Sequence, residues 1–280
     1  MIVQSFSYHN HSDFSDGTSD IYNIVKHAKE IGFTEIGISD HLIVHKNFPR
    51  SKSQIYMQKR PCSHIYNSNF KKILDKFRWH CENIRNVSNK EKFKIYVGFE
   101  VDYFTYDGWF DELKDFLSQL DYDYLISGNH MLFDEKCEDV FDLNDLTKIC
   151  IDKGLQKEYL QRHYETMVKS IDSGIFNFLA HLDYARKLGE NVCGINDYRS
   201  VKLEIINALE RNKTAMELST KGLRKIGDFY PAKWILWEVL KRDISIVVSD
   251  DAHNLTELGL NFDLAENLLQ EIGIKRRFVL

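Results

Sequence analysis

The feature that most constrains the fold is the alternation of short apolar runs with amphipathic helical patterns. Seven short runs are rich in apolar residues, which is typical of strands buried in a parallel sheet. They lie at residues 2–9, 35–41, 93–101, 122–130, 176–181, 214–219 and 244–251. Repeated strand–helix–strand units favour a parallel α/β sheet, and seven units predict a closed or nearly closed barrel formed by a single domain, residues 1–280. An open doubly wound sheet is the alternative.

Two stretches show the helical pattern clearly. Residues 18–33 start with Thr-Ser-Asp, carry an apolar stripe and end near Gly32, and residues 70–84 repeat the stripe. Two connections, 42–92 and 131–175, are long for a tight barrel. Between Leu42 and Leu74 there are seven Lys or Arg residues and no acidic residue: Lys46, Arg50, Lys52, Lys59, Arg60, Lys71 and Lys72. This segment is either a solvated loop face or a lid that helps to attract an anion.

Polar side chains that can bind metals follow almost every predicted strand. In order along the chain they are His9 and His11, Asp40 and His41, Glu100, His130, His181, Glu217, and Asp250, Asp251 and His253. The carboxyl ends of parallel barrel strands meet on one face, where sites are built from several strands. Six of the eleven histidines lie at five of these strand ends. The pattern therefore predicts a site on this face.

The first pair of histidines suggests the chemistry of that site. His9 and His11 are two residues apart, so their imidazoles lie on one side of a strand and can bind one metal ion. With Asp16 added, the candidate ligands are His9, His11, Asp16, His41, Glu100, His130, His181, Asp251 and His253. Nine ligands are too many for one ion, so two to three divalent ions are expected, with Zn²⁺, Mn²⁺ or Fe²⁺ suited to this mixture of nitrogen and oxygen ligands.

Composition and missing motifs exclude several other classes. The formal net charge of −5 disfavours broad nucleic-acid binding, and no apolar run reaches the length of a membrane span. The N-terminus lacks a signal-peptide pattern, and the five cysteines form no CxxC pair, so we expect a cytoplasmic protein with reduced thiols. Phosphate-loop, dinucleotide and serine-hydrolase motifs are absent. The remaining histidines are predicted to be structural: His27, His45, His64, His80 and His163.

The ordered set of strand-end motifs resembles the polymerase and histidinol phosphatase (PHP) superfamily. "HNHSDFSDG" is similar to its first motif, "ISDH" to its second, and "GFEVDY", "SGNH", "FLAH" and "SDDAH" to later ones. The resemblance extends from His9 to His253 and implies a distorted (β/α)7 barrel with a trinuclear metal centre. Within the superfamily the chain most resembles the stand-alone L-histidinol-phosphate phosphatases, because of its length, its long second-to-third-strand connection and the segment "ELSTKGLRKIGDFYP".

The resemblance also implies how the ligands are shared. His9, His11, Glu100 and Asp251 would hold one ion, Glu100 would bridge to a second ion bound by His130 and His181, and Asp16, His41 and His253 would hold the third. Some superfamily members have a histidine where this chain has Asp16, a harder oxygen ligand that can alter the metal at that site. Glu100, Asp251 and His253 are the predicted catalytic residues. Arg186, Lys187 and Arg224 are predicted to bind the phosphate, with exposed surface charges as the alternative.

The function implied is hydrolysis of L-histidinol phosphate, in which a hydroxide bridging two metals attacks phosphorus. Asp251 or a water on the third metal would protonate the leaving alkoxide. The expected partner is a small phosphorylated substrate, without nucleic acid or membrane, and the oligomeric state stays open. Two alternatives remain: another PHP phosphoesterase that acts on a different small phosphate, a nucleotide or nucleic acid, and a noncatalytic protein with a structural metal cluster.

Overall fold

The computed structural model describes residues 4–48, 66–134 and 138–280. Its strands are β1 (Phe6–Ser7), β2 (Glu35–Val44), β3 (Tyr66–Asn67), β4 (Lys94–Val101), β5 (Tyr124–Ser127), β6 (Met131–Asp134), β7 (Asp139–Asp142), β8 (Phe178–Leu179), β9 (Ala215–Ser219) and β10 (Ile246–Ser249). Seven of them form a parallel sheet in the order β1, β2, β4, β5, β8, β9, β10. All seven correspond to predicted strands.

The sheet nearly closes into a barrel, as predicted, and the open doubly wound sheet is not found. The first and last strands meet through a parallel bridge between Asn10 and Ala252. In this bridge the His11 N–H donates to the Ala252 carbonyl at 2.9 Å, and the Ala252 N–H donates to the His9 carbonyl at 3.3 Å. The bridge lies beyond the carboxyl ends of both strands, so it ties the barrel together next to the predicted site.

Helices connect the strands in the expected crossover pattern. The α-helices of the described residues are α1 (Ile21–Glu30), α2 (Leu74–Glu91), α3 (Trp109–Leu117), α4 (Leu146–Ile149), α5 (Lys153–Asp172), α6 (Arg199–Asn212), α7 (Lys221–Ile226), α8 (Lys233–Lys241) and α9 (Phe262–Ile272). Helix α1 shows why the sequence folds this way. The Asp20 side chain caps its first turn by accepting from the Asn23 N–H at 2.8 Å, and four apolar side chains, Ile21, Ile24, Val25 and Ala28, are buried.

The two long connections contain structure that the sequence patterns did not predict. β3 extends the sheet beside the end of β2, and β6 and β7 form an antiparallel hairpin. Of the basic segment, Arg50, Lys52, Lys59 and Arg60 lie outside the described residues, as do His64, Cys62 and Cys137. Lys46, Lys71 and Lys72 are exposed.

The other three cysteines, Cys81, Cys150 and Cys193, are free and buried. Among the described helices, none combines the length and apolarity required to cross a bilayer.

Aromatic side chains fill the amino-terminal end of the barrel. Tyr8, Tyr124 and Phe178 are fully buried there, and the chain's last residues pack against them, with the Phe278 ring centroid 5.8 Å from that of Phe178. The Tyr124 ring has room in this cluster because the neighbouring residue on β4, Gly98, has no side chain. A Cβ added at Gly98 would lie 2.2 Å from the Tyr124 ring, so a larger residue would displace this core.

Candidate metal centre

The structure brings all nine predicted ligands together at the carboxyl end of the barrel. Glu100, at the end of β4, lies at the centre of the group. Its Oε2 is 3.2 Å from His9 Nε2, 3.4 Å from His11 Nε2 and 3.1 Å from His41 Nδ1. Its Oε1 is 3.0 Å from His181 Nε2 and 3.5 Å from His130 Nε2. One carboxylate thus contacts imidazoles from four strand ends. The first of these strand ends supplies both His9 and His11.

Two ligands reach the centre through an unusual backbone. His181 has φ +25° and Asp251 has φ +47°, a left-handed conformation that non-glycine residues seldom adopt. Each is the second residue after a short strand, β8 or β10, so the backbone turns sharply where the side chain enters the site. Such conformations persist where the surrounding structure enforces them, and they cluster at functional sites.

The ligand atoms form overlapping groups with dimensions suited to metal ions. Within each group the atoms lie no more than 4.8 Å apart, and the groups are His11, Asp16, His41 and His253; His9, His11 and Asp251; His9, Glu100 and His181; and His41, Asp102 and His130. The first contains the three residues predicted for a third ion, with Asp16 Oδ1 3.4 Å from His41 Nε2 and 3.2 Å from His253 Nε2. Asp102 in the last group was not predicted.

Among the residues that the structure describes, five buried atoms at the centre have no hydrogen-bond partner: His9 Nε2, His11 Nε2, His41 Nδ1, Glu100 Oε2 and Asp251 Oδ1. Leaving a buried polar atom unsatisfied costs about 1–3 kcal/mol, so five such atoms together require another explanation. All five are nitrogen or oxygen atoms of the kinds that bind Zn²⁺ and similar divalent ions. The residues present therefore fit a metal centre.

Charge favours cation binding at the same place. Burial opposes ionisation of Glu100, but the imidazoles of His130, His9 and His41 hold the pKa of its carboxyl well below the usual value. Asp251 is also buried, and Lys221 followed by His9 keeps its pKa well below the usual value. Both carboxylates are therefore ionised at neutral pH.

His11 is held in its neutral form. Burial, followed by the nearby His253 and His41, lowers the pKa of His11 to about 4. A neutral imidazole has a free lone pair on one ring nitrogen, which is the form that binds a metal ion. The anionic carboxylates and this neutral imidazole are therefore in the protonation states that a metal site needs.

A second layer of carboxylates orients the imidazoles. Glu217, at the middle of β9, accepts from His9 Nδ1 at 2.6 Å and from the His181 N–H at 2.7 Å. Asp102 lies 3.2 Å from His130 Nδ1 and accepts from the Met131 N–H at 2.7 Å. Carboxylates behind metal-binding histidines fix the tautomer and the ring direction. The sequence signal for Asp102 was its position two residues after Glu100 on the same strand end.

Asp40 supports the loop that carries Asp16. It accepts from the Ser12 N–H at 2.8 Å and from the Ser12 hydroxyl at 2.6 Å, and its Oδ2 is 2.9 Å from His80 Nε2 on α2. Burial disfavours its charge, but His80 keeps the pKa of Asp40 well below its usual value. Asp40 therefore holds the loop after β1 in place without being a candidate metal ligand, and the contact of His80 with Asp40 supports its predicted structural role.

A cavity of about 370 Å³ opens beside the ligand cluster. Asp16, His41, His130 and His253 form part of its wall, and the rest comes from Tyr66, the β6–β7 region, the segment after β8, α7 and Glu257. Three lysines that line it bring positive charge: Lys187, Lys221 and Lys225. A cavity with ligand atoms on one wall and ammonium groups on another is suited to an anion that also contacts metal ions.

The three predicted phosphate-binding residues lie in different environments. Lys187 lines the cavity. Its Nζ is buried without a hydrogen-bond partner among the described residues and lies 3.0 Å from the centre of the Tyr184 ring. Burial lowers the pKa of Lys187 to about 7. Arg186 instead donates to Asp228 at 2.6 Å and to the Phe229 carbonyl at 3.1 Å.

Arg224 also lies outside the described cavity wall. Its Nη2 donates to the Asp250 carbonyl at 2.8 Å and lies 3.5 Å from Glu257 Oε2. Of the three candidates, Lys187 is the one found among the described lining residues of this cavity, and the phosphate-binding roles of Arg186 and Arg224 stay predictions. Sequence reasoning did not identify Lys221, whose Nζ donates to Asp251 Oδ2 at 2.6 Å, because a lysine following a strand is a common surface feature.

Of the other histidines predicted to be structural, four lie in the described residues. His27 is partly exposed on α1, 3.4 Å from Glu30. His45 and His163 are buried and line a different cavity. His80 contacts Asp40, as described above. None belongs to the groups of candidate ligand atoms found in these residues.

Comparison with known proteins agrees with this arrangement. A protein of Deinococcus radiodurans named "Probable histidinol-phosphatase" is 24% identical over 221 residues, 76% of this chain and 79% of that protein. Among solved structures, histidinol phosphate phosphatase HisK of Lactococcus lactis, complexed with Zn, L-histidinol and phosphate, aligns with a TM-score of 0.67 and 20% identity. That alignment covers 97% of this chain and 95% of the other.

HisK of Listeria monocytogenes aligns with a TM-score of 0.73 and 20% identity, over 92% of this chain and 99% of that one. At these identities the structural likeness shows a shared fold. The family evidence comes from the sequence model named "PHP domain", which matches residues 7–221 and so covers most of the chain. Asp251 and His253 lie beyond that match, and it is the folded structure that brings them to the same centre. The chain belongs to the PHP domain family.

Proposed function

We propose that this chain is a metal-dependent phosphatase that hydrolyses a phosphate monoester, L-histidinol phosphate, to L-histidinol and phosphate. The observation that carries the proposal is the set of five buried, unpartnered ligand atoms beside a cavity lined by lysines. A structural metal site is usually closed, whereas this ligand cluster forms part of a cavity wall. The names of the similar histidinol phosphatases support the choice of substrate.

The proposed centre holds two to three divalent ions, of Zn, Mn or Fe. We assign one to His9, His11, Glu100 and Asp251, a second to Glu100, His130 and His181, and a third to Asp16, His41 and His253. The close approach of each set supports this division, with Glu100 positioned to serve two ions. Bound ions would activate a water for attack on phosphorus and neutralise charge on the phosphoryl oxygens.

The chain's own residues would bind the phosphate and move protons. The Lys187 amino group, which has no hydrogen-bond partner in the described part of the chain, is available to bind a phosphoryl oxygen. Asp251 is ionised and can accept the proton released by the attacking water and pass it to the leaving alkoxide. Lys221, 2.6 Å from Asp251, fixes the position of that carboxylate, and His253 Nδ1 lies 3.5 Å from its other oxygen.

The cavity also suits a leaving group that carries a positive charge. Asp142 and Glu257 line it without belonging to the candidate ligand groups. Asp142 accepts from the Asn144 N–H at 2.8 Å, and Glu257 accepts from the His253 N–H at 2.9 Å. Their negative charges would attract the ammonium group of histidinol while the lysines attract its phosphate.

Phosphate release by purified protein loaded with Zn²⁺, Mn²⁺ or Fe²⁺ tests the proposal. The substrates are L-histidinol phosphate, p-nitrophenyl phosphate as a generic monoester, bis-p-nitrophenyl phosphate as a diester, and single-stranded DNA. We expect the highest kcat/KM for L-histidinol phosphate, loss of turnover with a chelator and recovery with added metal. Preference for the diester or single-stranded DNA would favour a nuclease-like enzyme, and absence of turnover on every substrate would favour a structural metal cluster.

A further inference from the structure

A second cavity, of about 120 Å³, lies on the other side of Met131 from the metal centre. Met131 lines both cavities, so its side chain forms part of the partition between them. The walls of the second cavity come from the end of β2, the segment after β4, the β6 strand and one face of α5. A volume of this size is close to the roughly 150 Å³ engineered cavity that binds benzene, so it has room for about one ring of five or six atoms.

Three side-chain nitrogens of this cavity are buried and have no hydrogen-bond partner within residues 4–48, 66–134 and 138–280: His45 Nε2, Arg162 Nε and His163 Nε2. His45 is fully buried, and His163 is 2% exposed. His45 Nδ1 accepts from the Asn47 N–H at 3.1 Å, which places the ring proton on Nε2 and makes that atom a donor. The cavity therefore presents at least two unused donors, His45 Nε2–H and Arg162 Nε–H.

The walls are aromatic and carry one positive charge. Around His45 the ring centroids of Phe104, Tyr106 and Phe133 lie at 4.6, 4.8 and 4.6 Å. Arg162 covers the Tyr159 ring at 4.8 Å, and it is the one residue among the described lining residues with a formal charge at neutral pH. Its nearest acidic contact is Glu158, at 3.8 Å. The two imidazoles are neutral, because burial lowers the pKa of His45 to about 4 and that of His163 to about 3.

We propose that this second cavity is a binding site for a small aromatic or heteroaromatic carboxylate. The ring would pack among the aromatic walls, which favour planar groups. The carboxylate would accept from Arg162 and His45, satisfying two donors that otherwise stay buried without partners. This site is separate from the metal ligands, and it does not depend on which phosphate ester the enzyme hydrolyses.

Isothermal titration of the metal-loaded protein with benzoate, in excess inorganic phosphate, tests this site. We expect one benzoate per chain, with weaker binding of benzyl alcohol, which lacks the charge, and of acetate, which lacks the ring. Arg162→Met should weaken benzoate binding at least tenfold, because a charge-assisted hydrogen bond is lost. Thr166→Phe, which adds a ring to the cavity wall, should also weaken it.

Two variants serve as controls. Arg199→Met removes another arginine that covers an aromatic ring, Trp234 at 4.3 Å, and that is not among the described lining residues of this cavity, so it should leave benzoate binding unchanged. Lys187→Met alters the metal-side cavity and should also leave it unchanged. The proposal is overturned if benzoate does not bind, if acetate or benzyl alcohol binds as tightly, or if Arg162→Met and Thr166→Phe bind benzoate like the unaltered protein. Loss of benzoate binding in Lys187→Met would likewise overturn it, by placing benzoate at the metal centre.

Discussion

The two ends of the barrel are built from the same strands but are completed in different ways. At the amino-terminal end the buried hydroxyls have protein partners: Tyr124 donates to the Tyr8 carbonyl at 2.6 Å, and Tyr8 donates to Glu35. The next residue, His9, begins the opposite end, where five buried ligand atoms lack a hydrogen-bond partner among the described residues. The first end is complete as folded protein, whereas the second needs a ligand to be complete. Stability and function are thus separated along the barrel axis.

The largest expected effect comes from Glu100→Gln. The substitution preserves the shape of the side chain but removes the charge at the centre of the ligand cluster. Loss of partners behind metal ligands typically costs 10–100-fold, so removal of a central ligand should reduce kcat/KM by more than about 100-fold. Elemental analysis should show fewer metal equivalents per chain than in the unaltered protein.

Glu35→Gln is the matched control, because Glu35 begins β2 at the opposite end of the barrel. It contacts Tyr8 and Lys94 and should change neither metal content nor kcat/KM. Equal metal content in Glu100→Gln and the unaltered protein would contradict the central role of Glu100. A loss of metal in Glu35→Gln would contradict the separation of the two ends.

The next largest effect is expected at Lys187. Its ammonium lines the cavity without a partner, so Lys187→Met should lower kcat/KM by about ten- to a hundredfold while metal content stays unchanged. Lys187→Arg should recover part of the loss, since it retains the charge with a different geometry. Arg186→Met is the comparison, because Arg186 is bound by Asp228 and Asp183 and should have a smaller effect. A larger loss of kcat/KM from substitution of Arg186 or Arg224 would indicate that this arginine, rather than Lys187, contacts the phosphate.

Much of the barrel could be predicted because its signals are local. Each parallel strand is an apolar run, and the strand ends carry the imidazoles and carboxylates that the fold then gathers. The β6–β7 hairpin was not predicted, since its strands of four residues lie in a connection without clear alternation. The environments of Lys187 and Arg186 could not be predicted either. These neighbours differ because Arg186 meets Asp228, 42 residues away, a contact that depends on how the chain folds.

A smaller effect, on stability, is expected from Phe278→Ala at the amino-terminal end. The Phe278 ring packs near Tyr8 and Phe178, and its N–H donates to the Ile246 carbonyl at 2.9 Å. Phe278 is partly exposed, so we expect a loss of about 1–3 kcal/mol in the free energy of unfolding, less than for a fully buried phenylalanine. Urea unfolding measures it. Val279→Ala is the control, because Val279 is 57% exposed and its truncation should be nearly neutral.

The smallest expected effect is the coupling between the two ends. Metal ions bind the folded chain, so they should stabilise it by about 2.7 kcal/mol when free metal is 100-fold above its Kd. The Phe278 ring packs near Tyr8, which precedes the ligand His9, but its ring contacts are with Tyr8 and Phe178 rather than with a candidate ligand, and along β10 the chain from Ile246 to Asp251 spans roughly 16 Å. We therefore propose urea unfolding of Phe278→Ala and of the unaltered protein, each metal-loaded and metal-free. The loss in the free energy of unfolding caused by Phe278→Ala should be the same with and without metal to within about 0.5 kcal/mol. Agreement would show that the aromatic end supports the fold without adjusting the metal centre. A loss that differs by more than about 1 kcal/mol between the two states would show that the two ends act as one unit.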